Sequence, residues 1–185
     1  MGLTEIFAAM GRNKQPRINR QPWPPLARSV PWFSVILATL LPTWIAISSA
    51  PVLPPLAFLV FISWRQLRPG LLPIWAGLPL GFIDDLYSGQ PLGSAMMLWS
   101  AAAIALDYVE ARLPWRNFST EWLLAAGLIA SYILVCLLLA NLAGGSTALQ
   151  VVVPQIALSI LCYPLVDRLV AWLDRLRLIH FMEIR

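Results

Sequence analysis

The stretch Gly81-Phe82-Ile83-Asp84-Asp85-Leu86-Tyr87-Ser88-Gly89-Gln90-Pro91-Leu92-Gly93 sets two adjacent carboxylates beside a tight turn, in a chain otherwise suited to lipid. An aspartate near the middle of a membrane span costs about 2.5–3.5 kcal/mol on insertion scales. Such a residue persists because it pairs, caps a chain end or does chemistry. Which of these applies here decides how the fold is read.

Of the 185 residues, 59% are hydrophobic and 12% charged. A soluble domain carries about 25% charged residues, so the chain reads as an integral membrane protein of one bundle. The formal net charge of +4 does not point to nucleic acid, because the basic residues form short clusters between apolar runs. Cys136 and Cys162 lie inside apolar runs and read as small buried residues. With His180 the lone histidine, a Cys/His metal centre is excluded, and no cofactor is expected.

Six apolar runs cover about 31–49, 52–66, 71–88, 91–108, 121–142 and 149–171. About 20 helical residues cross a 30 Å hydrocarbon core. The second run is short and opens on Pro54-Pro55, so length alone leaves it re-entrant or spanning. Charge placement resolves this. With six spans and a cytoplasmic N-terminus, all 13 Lys and Arg fall inside, and the outer connections near 49–51, 88–91 and 143–148 carry none. The expected architecture is an all-α membrane protein of six transmembrane helices with both termini cytoplasmic. Residues 1–30 form a basic, Pro-rich tail that prolines keep from being helical, 31–171 the membrane domain, and 172–185 an amphipathic tail on the inner leaflet. Trp32, Trp64, Trp115, Trp122 and Trp172 fall near inner ends and read as headgroup anchors. Pro42, Pro79 and Pro164 are expected to kink their spans.

In the third run Gly77 and Gly81 stand four residues apart, with Asp84, Asp85 and Ser88 continuing that side of a helix. Such a face admits a neighbouring backbone. The fourth run, with Gly93, Ser94, Ala95 and a later Ser/Ala stretch, supplies a second small-residue face. Asp85 lies about 5 Å from the outer end of its helix. Three readings stand: an aspartate accepting hydrogen bonds from turn amides to fasten a hairpin, a partner- or ligand-facing polar site, and catalysis. Asn141 and Gln155 are candidates for interhelical hydrogen bonds, and Asp167/Arg168 and Asp174/Arg177 for interfacial ion pairs.

Gly81-Phe82-Ile83-Asp84-Asp85 looks like the start of the metal-binding motif of polyprenyl-phosphate sugar-phosphate transferases. That family has a lysine where this chain has Ser88, and its histidine-containing loop is absent. Membrane prenyltransferases use two Asp-rich motifs, whereas the remaining inner carboxylates here are scattered. With no phosphate-binding cluster on the same side, the pair makes a poor phosphoryl site.

The pattern Gly81-x-x-x-Asp85-x-x-Ser88-Gly89-x-x-Leu92-Gly93 resembles the signature of bacterial rod shape-determining membrane proteins of the MreD family. Phe61-Ile62-Ser63-Trp64 and Leu161-Cys162-Tyr163-Pro164, followed by Arg168 and Arg175, are similar to other parts of that family. The resemblance implies a non-enzymatic inner-membrane scaffold of cell-wall elongation. Its implied partners are MreC first, then MreB and the elongation glycosyltransferase and transpeptidase. It also implies a fold similar to the six-helix vitamin-binding subunits of bacterial importers. Gly81, Asp85, Ser88, Gly89, Leu92 and Gly93 match the motif, while Asp84 and Gln90-Pro91 depart from it. The resulting expectation is that MreC docks through helix faces lined with small residues, Gly77 and Gly81 among them. The alternative is a substrate-binding subunit of a vitamin importer, and a lipid-phosphate transferase is the weaker third.

Overall fold

The computed structural model describes residues 24–45, 53–112 and 117–178. The N-terminal tail, the connection near 49–51, Trp115, Arg116 and His180 lie outside them. The described residues form helices α1 (Pro24–Ile45), α2 (Leu56–Leu67), α3 (Gly77–Ser88), α4 (Ser94–Arg112), α5 (Phe118–Leu142) and α6 (Leu149–Leu178). A single 3-10 turn, Ile74–Ala76, leads into α3.

Each apolar run holds one helix, but the lengths differ from six equal spans. The 25-residue α5 and residues Leu149–Arg177 of α6 are long and apolar enough to cross a membrane, with windows of mean hydropathy 2.6 and 1.8. Only 28% and 17% of those windows are buried, so both helices turn most of their apolar surface away from the protein. In contrast α2 and α3 have 12 residues each, about 18 Å of helix. Pro54 and Pro55 delay the start of α2, and Pro69, Gly70 and Pro73 hold the chain out of helix until Ile74.

Two helix boundaries also move. The expectation that prolines keep 1–30 from being helical is corrected over 24–30, because α1 begins at Pro24. Proline in a first turn gives up only an amide that lacks an intrahelical acceptor. Pro79, expected to kink its span, is the third residue of α3 and is tolerated for the same reason. At the other terminus, residues 172–178 continue α6 without a break.

The short α2 lies at the centre, in contact with α1, α4, α5 and α6. Every residue from Ala57 to Gln66 is buried, so α2 is enclosed on all sides. Phe58 stacks on Tyr132 of α5 with ring centroids 4.2 Å apart, and Phe61 on Trp99 of α4 at 5.0 Å. Lipid tails are as apolar as leucine, so close van der Waals fit and interhelical hydrogen bonds hold these helices together.

Contacts sort the helix ends. At one end Arg65 pairs with Asp107, Arg68 with Asp174, and Gln66 donates to the Glu121 carbonyl. At the other, Gln155 donates to the Leu53 carbonyl at 2.8 Å, and Asn141 exchanges two hydrogen bonds of 3.0 Å with Thr147. Gln155 thus bonds across elements, whereas Asn141 fastens its own turn.

Candidate functional site

The site begins with the α3–α4 hairpin. Gly89 ends α3 in the left-handed region (φ +69°) and Gly93 enters α4 at φ +95°. Side chains at both positions would have room but not the conformation. That backbone turns the first amides of α4 toward α3, where Asp85 meets them. Asp85 Oδ1 accepts from the Ala95 amide at 2.9 Å and the Ser94 hydroxyl at 3.0 Å. Its Oδ2 accepts from the Gly93 amide at 2.9 Å and the Met96 amide at 3.3 Å. The first amides of a helix lack intrahelical acceptors and carry its positive dipole end. A carboxylate from the preceding helix supplies both acceptor and charge, so Asp85 is an N-terminal cap contributed by α3.

Asp84, one residue earlier, points elsewhere. It is half-buried and accepts from the Tyr132 hydroxyl on α5 at 3.3 Å. Adjacent helical residues are about 100° apart, and here the two carboxylates diverge. With both oxygens of Asp85 engaged by four donors, the pair does not converge on a shared cation or substrate.

The glycine face is filled from within the chain. A Cβ on Gly81 would lie 2.7 Å from the Met96 backbone, and one on Gly77 2.8 Å from the Ser100 amide nitrogen. Both glycines bring α3 against α4, so their face is not free to dock another protein. Ser88 is exposed, and Leu92 is 72% exposed. Neither side chain is among the donors to Asp85. The six motif residues, taken with Gly77 and Asp84, therefore divide. Gly77, Gly81, Asp85, Gly89 and Gly93 build the hairpin, while Asp84, Ser88 and Leu92 border other surfaces.

Asp84, Ser88, Tyr87 and Gln90 line a cleft of about 210 Å³ that also touches Tyr132 and Gln155. A second, mostly apolar cavity of about 210 Å³ opens between α4 and α5, lined by Ala101, Ala102, Ala105, Leu128 and Ser131 over Phe58.

At the basic end the structure holds contacts that sequence reasoning missed. Arg65 is 5% exposed, donates to the carbonyls of Leu72 (2.7 Å) and Ala103 (3.2 Å), and pairs with Asp107. The Leu72 carbonyl lies in the non-helical segment before α3, whose backbone acceptors need partners away from water. Arg65 supplies one. The signal was available: one cation and one carboxylate at the same ends of neighbouring apolar runs tend to pair. Asp174 pairs with Arg177 at 2.6 Å, as the sequence suggested, and also with Arg68 at 3.1 Å. Trp64, expected as a headgroup anchor, is fully buried. Its indole donates to Ser34 Oγ at 2.8 Å, and Arg177 lies 5.4 Å above its ring.

The fold and site define a helical membrane protein in which a buried carboxylate fastens the two helices of one hairpin to each other. The profile of the family described as rod shape-determining protein MreD matches residues 26–173. This chain belongs to that family, which associates it with the rod shape complex. Searches of curated proteins and of solved structures found no match.

Proposed function

We propose that this protein is a non-enzymatic scaffold in the bacterial inner membrane, spanning it six times with both termini in the cytoplasm. In this reading it docks the single span of MreC and serves the assembly that contains MreB and the elongation glycosyltransferase and transpeptidase. Family membership supports the role in shape determination. Six crossings are supported by the collection of Arg65, Arg68 and Arg177 at one end. Residues 1–30 and 172–185 are then the cytoplasmic extensions.

The groove between α4 and α5 carries the docking assignment. Ala101, Ala105 and Ser131 there let a helix backbone approach closely, and no other helix among the described residues fills the space. This replaces the Gly77/Gly81 face, which α4 occupies. The test is co-purification with MreC of an Ala101→Phe/Ser131→Phe variant that still inserts and unfolds at the wild-type temperature. Loss of MreC is expected, and undiminished recovery rules the groove out.

The cleft bordered by Asp84, Ser88, Gln90 and Gln155 favours a second reading, a vitamin-binding importer subunit. Its volume of about 210 Å³ falls below the roughly 300–1,000 Å³ of small-molecule pockets, so this reading ranks second. A thermal shift on adding vitamins to the purified protein would revive it.

A further inference from the structure

A cavity of about 780 Å³ lies at the basic end, between the start of α1, the 68–75 connection and the end of α6. Arg28, Arg68 and Arg177 line it together with Trp32 and Trp75, whose rings lie 5.5 Å apart. Among the described residues no carboxylate lines the cavity. Asp174, which pairs with Arg68 and Arg177, is the acidic residue bonded to these arginines among the described residues. Among the described residues, three guanidinium groups stand against one bonded carboxylate.

The cations are not equivalent. Arg177 is held rigidly by Asp174 and by the Trp64 ring, with its side chain 6% exposed. Arg68 is half-exposed, and Arg28 is exposed and makes no ion pair among the described residues. One fixed and two accessible guanidinium groups around a single concavity match the oxygens of a phosphate, which such groups bind by charge-assisted hydrogen bonds. Tryptophan at the rim belongs at headgroup depth. Beyond Trp32, α1 exposes Phe33 (69%) and Leu37 (63%), and beyond the 3-10 turn that exposes Trp75 (60%), α3 exposes Leu78 (46%); these apolar side chains are the α1/α3 track. A free phosphate uses the cavity alone, whereas a lipid uses the cavity and the track.

We propose that this cavity is a binding site for the phosphodiester headgroup of an acidic phospholipid, with its acyl chains along the α1/α3 track. The site goes beyond the scaffold reading and does not depend on docking of MreC.

The test is thermal unfolding of the full-length protein in detergent, titrated with phosphatidylglycerol, phosphatidylcholine or inorganic phosphate. Phosphatidylglycerol is expected to raise the unfolding temperature saturably, and added salt to weaken its binding. Arg28→Gln and Arg68→Gln are each expected to weaken apparent affinity about fivefold, the change equivalent to about 1 kcal/mol per arginine near an anionic lipid. Arg112→Gln, outside the cavity, is expected to change nothing. Should Arg68→Gln lose its fold with the Asp174 pair, Arg28→Gln and Trp75→Leu still report on the site. Equal stabilisation by phosphatidylcholine overturns the proposal, as does wild-type affinity in Arg28→Gln. Equal stabilisation by inorganic phosphate overturns the lipid assignment.

Discussion

Asp85 on α3 accepts the Ala95 amide of α4 at 2.9 Å, so the N-terminus of one helix is capped by a side chain of its predecessor. Only 3% of Asp85 is exposed, and three amides and one hydroxyl converge on it. The hairpin cannot open without leaving those donors and a carboxylate unpaired in a membrane.

The two neighbouring aspartates therefore differ sharply in what their removal does. Asp85→Ala is expected to cost about 2 kcal/mol, combining a lost cap with unsatisfied buried donors. Asp84→Ala, which removes one 3.3 Å hydrogen bond from Tyr132, should cost under about 1 kcal/mol. Chemical denaturation in micelles measures both. Equal losses would contradict the assignment of Asp85 as the cap.

Glycines in three settings are predicted to respond in graded order. Gly81→Ala drives a Cβ to 2.7 Å from Met96 backbone atoms, and should cost about 1–3 kcal/mol through overpacking. Gly89→Ala meets no atom within 4 Å but keeps φ at +69°, for a cost of about 1–2 kcal/mol. Gly127 sits in α5 with open space around it, so Gly127→Ala should stabilise by up to about 1 kcal/mol. Unfolding temperatures of the three variants read the order directly.

Breaking the Arg65–Asp107 pair should be more damaging than removing it whole. Asp107→Ala leaves Arg65 buried with carbonyl acceptors but no counter-ion, for a loss near the lower end of about 3–5 kcal/mol. The lower end applies because the Asp107 side chain is 37% exposed. An Arg65→Met/Asp107→Ala double variant is expected to recover part of that loss, as a double-mutant cycle with the Arg65→Met single variant would show. A strictly additive cycle would mean that the two residues do not interact.

Tryptophans that looked alike in sequence should separate on mutation. Trp64→Phe removes the 2.8 Å hydrogen bond to Ser34 and weakens the stacking of Arg177, costing about 1–2 kcal/mol. Trp172 is 58% exposed, and Trp172→Phe should stay within about 0.5 kcal/mol of wild type. Comparable losses from both would mean that Trp64 acts as an interfacial anchor after all.

Much of this arrangement is legible in the chain. Apolar runs mark one helix each, and Ser88-Gly89-Gln90-Pro91 marks the turn, because hydropathy and turn chemistry are local properties. Helix lengths are less legible. Prolines shorten α2 and α3 at their starts yet sit harmlessly in the first turn of α1, and only the observed start distinguishes the cases. The arginines at 65, 68 and 177 mark the basic end, but not which carboxylate each one meets.

By itself the sequence determined that this is a helical membrane protein of the MreD family, and where its hairpin turns. The tertiary structure decided which of two adjacent aspartates is buried, that α4 covers the glycine face, and that Trp64 and Arg65 belong to the interior. The reason is physical. In water, apolar residues mark the buried face of a helix, but in lipid they suit both the lipid face and the protein face. Which side of each helix turns inward is therefore set by fit against non-local neighbours, as Asp85 is set by the amides of α4.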